Sequence, residues 1–175
     1  DLPKEEVKIT IIEAAERILP ALPPDLSEKT TIALNKIDIE VLTNHRISEA
    51  TELGFITDKG GLIPSEIKVW AAGIKAPDFL AEIDGLETNR INQLVVKETL
   101  ATTRDENIFA MGDCAACPMK GTDHNVPPRA QAANQQASML SKSIINRMKN
   151  KPLPTYTYVD YGSLINLNRY STVGN

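Results

Sequence analysis

The β-branched run Val7-Lys-Ile-Thr-Ile-Ile12 stops at an acid, Glu13. It reads as a buried strand that delivers a carboxylate at its C-terminal tip. Arg17 to Pro24 is a proline-punctuated loop. Asp25-Leu-Ser-Glu28 then has the spacing of a capping box, and it introduces a helix to about Lys36 with Leu26, Thr30, Ala33 and Leu34 on one side. Ile39 to Thr43 reads as a second strand. Strand, helix, strand is the order of a parallel α/β unit, so the expected fold class is α/β.

The pattern then changes. Ile47 to Glu52, Gly54 to Thr57 and Leu62-Ile63 are short strand-like pieces, the last two joined at Asp58-Lys-Gly-Gly61, a turn composition that suits a hairpin. They predict an antiparallel meander inserted before a return strand at Ile67 to Ala71, which closes at Gly73. From Lys75 to Thr103 only Leu94-Val-Val96 reads as a strand. Ile108-Phe-Ala-Met111 reads as a short apolar strand ending at Gly112-Asp113. Pro127-Pro128 are expected to open a long helix to about Lys149, with Ala130, Ala133, Ala137, Leu140, Ile144 and Met148 on its buried face.

Four groups of residues carry chemistry. Glu13, at the tip of a parallel strand, is placed to bind the two hydroxyls of an adenosine ribose and to repel a 2′-phosphate, which points to NADH rather than NADPH; the other reading is a solvated loop start. Gly112-Asp113 after an apolar strand, followed by a helix start, describes half of a flavin cradle. The glycine lets a ligand approach the backbone, the aspartate binds ribityl hydroxyls, and the helix end offers N–H groups and a positive dipole. The same residues also fit a plain Gly-Asp turn before an amphipathic helix. Gln131, Asn134 and Gln135 offer neutral donors and acceptors suited to a carbonyl ligand such as a quinone, or simply a polar helix surface. Cys114 and Cys117, with His124 beyond them, are a candidate soft-metal trio and the CxxC a candidate redox disulfide, against small residues packed beside the turn. No other metal site is expected.

Charge and composition remove whole classes of partner. With 19 basic against 23 acidic residues, a net charge of −4 and no run of Lys and Arg longer than two, there is no basic face for nucleic acid. The longest apolar stretches, such as Val69 to Ile74, fall far short of the ~20 residues that cross a bilayer. Two cysteines are too few for a secreted disulfide scaffold and suggest a reducing, cytosolic setting. No two of the nine glycines are separated by one residue, so neither a GxGxxG nor a Walker-type phosphate loop can be written on this chain. No Ser-His-Asp set or paired catalytic carboxylates support a hydrolase.

As a set, the motifs resemble a known family. Val-Trp-Ala-Ala-Gly-Ile-Lys-Ala-Pro (Val69 to Pro77), Asn-Ile-Phe-Ala-Met-Gly-Asp (Asn107 to Asp113), Val-Pro-Pro-Arg-Ala-Gln-Ala-Ala (Val126 to Ala133) and Asp-Tyr-Gly-Ser-Leu (Asp160 to Leu164) are similar to the C-terminal half of a bacterial type II NADH dehydrogenase. The resemblance implies a partial two-dinucleotide-binding-domain flavoprotein fold, Rossmann-like, with an antiparallel β-meander. Residues 1–74 would be the end of the NADH-binding domain, 75–150 the returning part of the FAD-binding domain, and 151–175 the start of a C-terminal region. It implies electron transfer from NADH through FAD to a membrane quinone at the cytoplasmic face of the bacterial inner membrane. Glu13, Ala72 and Gly73 would then serve NADH; Gly112, Asp113, Ala130 and Gln131 would serve FAD; Gln131, Asn134 and Gln135 would line the quinone side, although some relatives carry histidine at Asn134. The family's glycine-rich loops would precede Asp1 and its membrane-attaching segment would follow Asn175. The expectation is therefore a soluble fragment that is inactive alone, retains little FAD or NADH, and is prone to self-association. A disulfide reductase using Cys114 and Cys117, or a non-catalytic binding module, are the alternatives.

Overall fold

The computed structural model describes residues 6–168 and 171–174. The chain packs into two compact units, one of Asp1–Trp70 with Gly162–Asn175 and one of Ala71–Tyr161. The packing boundaries thus fall at 70/71 and 161/162, whereas the sequence motifs divide the chain at 74 and 150.

In the first unit, β1 (Ile9–Ile12), α1 (Pro24–Asn35) and β2 (Ile39–Leu42) form the expected strand, helix, strand unit. β1 and β2 pair in parallel, Ile9 beside Ile39 through Ile12 beside Leu42, a pairing that requires a crossover such as α1. The helix buries Ser27, Thr30 and Leu34, and the Ser27 hydroxyl donates to the Ile18 carbonyl at 2.5 Å. The capping box does not form. The helix starts two residues earlier than the box implies, with Pro23 rather than Asp25 at the cap and Pro24 behind it, and no side chain caps it. Asp25 already lies inside the first turn, where it favours the helix dipole and pairs with Lys29 at 3.3 Å.

The meander is present as β3 (Ile47–Thr51), β4 (Gly54–Thr57) and β5 (Leu62–Pro64), antiparallel in that order. Its tightest point is Gly54, with φ +150, where an added Cβ would sit 2.1 Å from the Ile63 carbonyl oxygen. The return strand expected over residues 67–71 is absent. Ile67 and Val69 are 85% and 77% exposed, and no strand pairs with this segment among the described residues. A β-rich composition cannot make a strand without a neighbour to accept its hydrogen bonds. Trp70 instead turns toward Phe55, ring centroids 6.3 Å apart. A hairpin of β8 (Leu164–Asn168) and β9 (Ser171–Gly174) packs against α1.

The second unit has a core of Leu94, Val96, Leu100, Ala115, Cys117, Val126, Ala132 and Tyr156. β6 (Leu94–Val95) pairs in parallel with β7 (Ala115–Ala116). The strand expected at Ile108 to Met111 shrinks to a single bridge, Phe109 to Ala101. The long helix, α2 (Ala130–Met148), begins two residues after the Pro127-Pro128 pair, with Arg129 at its cap. Its buried face also differs from expectation: Ala132, Gln136 and Ser143 are buried, whereas Ile144 and Met148 are 50% and 81% exposed. Polar side chains can occupy the inner face because each has a partner there. Ser143 donates to the Met139 carbonyl, and Gln136 accepts from the Gly112 N–H.

Gly54→Ala is expected to destabilise the first unit by at least about 2 kcal/mol, since the new Cβ meets backbone that cannot yield. Chemical denaturation checks this, and a variant as stable as the parent would mean that the meander is not packed this way.

Candidate functional site

The turn at Gly112–Cys114 is a short 3-10 element between the apolar 108–111 segment and β7. Gly112 adopts φ +65, and a Cβ there would lie 3.3 Å from the Ala133 methyl on α2. The left-handed backbone and the close helix both select glycine. Its N–H donates to Gln136 Oε1 at 2.6 Å, and the Asp113 carbonyl accepts from Gln93 Nε2 at 3.0 Å. Gln93 is itself held: Asn89 Nδ2 donates to its Oε1 at 2.8 Å and its backbone N–H donates to Asn89 Oδ1 at 3.0 Å. Both clamping glutamines are buried, Gln136 2% and Gln93 5% exposed.

The backbone of Asp113 is thus fixed while its side chain is exposed and makes no hydrogen bond or ion pair among the described residues. Beside it stands the start of α2, with Ala130 in the first turn and no side-chain cap from Arg129. An uncapped helix start presents N–H donors and the positive end of the helix dipole. The structure therefore brings the Gly112–Cys114 turn against α2 at Ala133 and Gln136, three and six residues beyond Ala130. Gln136 and Gln93 are the residues that sequence reasoning missed. The only signal for Gln136 was its place four residues after Ala132 on the helix.

Gln131 and Gln135 do not stand free. The Gln135 amide pairs with the backbone of Val159 in both directions, accepting its N–H at 3.1 Å and donating to its carbonyl at 2.8 Å. Gln131 donates to Asp160 Oδ1 at 3.2 Å and accepts from the Tyr161 N–H at 3.0 Å. Arg129 closes the row with an ion pair to Asp160 at 3.1 Å. One helix turn separates the two glutamines, so they bind residues 159–161 along the helix much as a neighbouring strand would. Asn134, between them in sequence, is exposed.

In the first unit, Glu13 follows β1 directly, its N–H donating to the Leu42 carbonyl at 2.8 Å. One carboxylate oxygen accepts the Ala15 N–H at 2.8 Å, which orients the side chain. A largely apolar cavity of about 390 Å³ opens beside it, lined by Ile11, Glu13, Ile18, Leu34, Ile39 and Ile165 among others. Ala72 and Gly73 are exposed on an irregular stretch, with Gly73 at φ +73. They belong to the second unit by packing and Glu13 to the first.

The cysteines are both free. Cys117 is fully buried, and burial, with Glu98 nearby, pushes its thiol up to about 11. Among the described residues no group of three His, Cys, Asp or Glu side chains could hold a metal, so Cys114, Cys117 and His124 are not brought together as a ligand set. The His124 carbonyl serves a local turn instead, accepting the Met119 N–H. Tyr156, packed in the same core, is pushed up to about 12 chiefly by burial.

Comparison with known proteins follows the same lines. The profile of the pyridine nucleotide-disulphide oxidoreductase family matches residues 2–137. The chain is 45% identical over 168 residues to a type II NADH:quinone oxidoreductase of Haemophilus influenzae, covering 96% of this chain and 38% of that protein. It is 30% identical over 175 residues to one of Staphylococcus aureus, covering 98% of this chain and 43% of that protein. It thus spans less than half the length of these curated relatives. Among solved structures, NDH2 of Plasmodium falciparum in complex with NADH superposes with a TM-score of 0.80 at 19% identity, covering 96% of this chain and 50% of that one. A NAD-dependent persulfide reductase from A. fulgidus gives 0.74 at 24%, covering 91% and 30%. These likenesses bear out the mixed α/β, Rossmann-like fold.

The raised Cys117 thiol has a measurable consequence. At pH 8, iodoacetamide should modify Cys114 in the folded protein and reach Cys117 only on unfolding. Because the Cys117 proton is held more tightly in the folded state, stability should also fall as pH rises from about 9 through about 11. Equal alkylation rates at the two thiols would contradict the burial.

Proposed function

The chain belongs to the pyridine nucleotide-disulphide oxidoreductase family, and from that premise we propose that it contributes to an enzyme passing electrons from NADH through FAD to a membrane quinone. The observation that carries the proposal is the Gly112–Cys114 turn: a fixed backbone, an exposed Asp113 carboxylate without a partner among the described residues, and a helix without a side-chain cap packed against it. These features fit a flavin. A Cβ at Gly112 would meet Ala133, so the turn leaves room for backbone approach only as glycine.

In this reading Asp113 accepts hydrogen bonds from the ribityl hydroxyls, and the first turn of α2, from Ala130 and Gln131, faces the pyrimidine edge of the ring, where its dipole favours negative charge. Glu13 uses its second oxygen for the adenosine ribose of NADH and repels a 2′-phosphate. Ala72 and Gly73 offer a side-chain-poor backbone to the nicotinamide. When bound, FAD supplies the chemistry that takes two electrons from NADH and releases them to a quinone; the protein supplies orientation and electrostatics. On the quinone side, Gln131 and Gln135 act by holding residues 159–161 against α2, so a quinone meets that segment and Asn134 rather than two free amides. The setting proposed is the cytoplasmic face of the bacterial inner membrane. No helix among the described residues is long and apolar enough to cross a membrane. This chain alone, with no glycine-rich phosphate loop in its sequence, is expected to retain little FAD or NADH.

The disulfide reductase alternative meets a physical obstacle. Cys117 is fully buried, and that burial pushes its thiol up, so it is neither reachable by a substrate nor readily ionised for an attacking role.

Two substitutions in the full-length protein test the assignment. Asp113→Ala should weaken FAD binding roughly 10- to 150-fold, the equivalent of a charge-assisted partner worth about 1.5–3 kcal/mol; unchanged flavin content after gel filtration would refute the role. Glu13→Gln should raise the NADH KM by about tenfold and narrow the preference over NADPH. An unaltered cofactor preference would remove Glu13 from the site.

A further inference from the structure

The Gly112–Cys114 turn is held from two directions by side chains that need no contact with a cofactor. Gln136 comes from α2 and accepts the Gly112 N–H; Gln93, immediately before β6, donates to the Asp113 carbonyl. The two bonds bracket the Asp113 peptide, one on the residue before it and one on its own carbonyl. β6 pairs in parallel with β7, which begins at Ala115, two residues after Asp113. The turn therefore hangs between helix and sheet, and each of them sends one buried amide to it. Neither amide has been drawn in by chance packing. Gln136 is 2% and Gln93 5% exposed, and a glutamine is rarely buried unless its polar atoms are used. Gln93 is further fixed by Asn89 on both its side chain and its backbone.

We infer that Gln136 and Gln93 are positioning residues: a two-point backbone clamp that sets the affinity of the Gly112–Asp113 site for flavin without touching the flavin. The inference rests on the FAD reading above. Without the Gln136 acceptor, the Gly112 N–H loses its partner and the left-handed turn loses the bond that holds it against α2. Asp113 then samples several orientations, and each weakens the aim of its carboxylate at a pair of vicinal hydroxyls.

The test compares Gln136→Met with Gln136→Glu in the full-length protein. Methionine matches the side-chain length and removes the amide oxygen; glutamate keeps an acceptor oxygen in the same place whether or not it is protonated. Three quantities are read: hydrogen exchange of the Gly112 amide, the FAD dissociation constant of the deflavinated protein, and the NADH KM. Gln136→Met should speed Gly112 exchange and weaken FAD by about tenfold, leaving the NADH KM within twofold. Gln136→Glu should retain both Gly112 protection and FAD affinity to within about threefold. Glutamate behaving like methionine would show that packing rather than the acceptor matters, and would overturn the clamp. So would FAD affinity unchanged in Gln136→Met. If Gln136→Met does not fold, Gln93→Met, which removes the donor to the Asp113 carbonyl, carries the same expectation for FAD, and full FAD affinity there overturns the clamp. Asp113→Ala separates the two levels. Loss of FAD in Asp113→Ala with none in Gln136→Met sinks only the clamp, whereas retention in Asp113→Ala sinks the flavin reading itself.

Discussion

The hydrogen bond from the Gly112 N–H to the amide oxygen of Gln136, 2.6 Å long, joins the turn that presents Asp113 to the helix whose open end stands beside it. Its net worth is only about 0.5–1.5 kcal/mol, but removing one partner and leaving the other unmatched costs about 1–3 kcal/mol. Everything proposed for the second unit depends on that join. The helix start is useful to an anionic ring edge only if a carboxylate at a fixed distance holds the rest of the molecule, and the carboxylate is aimed only if its backbone is still.

The same economy of backbone fixing recurs elsewhere. Gln135 pairs with Val159 through both its donor and its acceptor, and Gln131 with Asp160 and Tyr161, so two side chains act as a stretch of sheet along a helix. In the first unit the Ala15 N–H anchors one oxygen of Glu13. In each case a polar side chain is held in one orientation by its hydrogen-bond partners, most of them main-chain groups. Cys117 marks the opposite use of a reactive residue. Fully buried and held protonated to about 11, its thiol is part of the core.

Much of this was legible in the amino-acid sequence, and the gaps have identifiable causes. The parallel unit of β1, α1 and β2 could be read because β-branched runs and a polar-apolar helix are local signals, and the glycines of the meander mark turns that only glycine fits. Residues 67–71 misled because strand propensity says nothing about whether a neighbour is present to complete the ladder. The capping box at Asp25 and Glu28 does not form because Pro23-Pro24 start the helix two residues sooner. The inner face of α2 was misread because apolar periodicity favoured Ala130, Ile144 and Met148, while the actual core accepts Gln136 and Ser143 with their partners. Those partners are 24 residues away at Gly112 for Gln136 and local at Met139 for Ser143. A buried glutamine whose acceptor is used by a distant N–H leaves no trace in a window of sequence, so the clamp around Asp113 could be found only in three dimensions.

The most direct measurement of the central claim is a density map of the full-length protein with FAD bound. The Asp113 carboxylate should lie within hydrogen-bonding distance of the ribityl hydroxyls, and the first turn of α2 against the pyrimidine edge of the isoalloxazine. A flavin bound elsewhere, with Asp113 facing solvent, would contradict it.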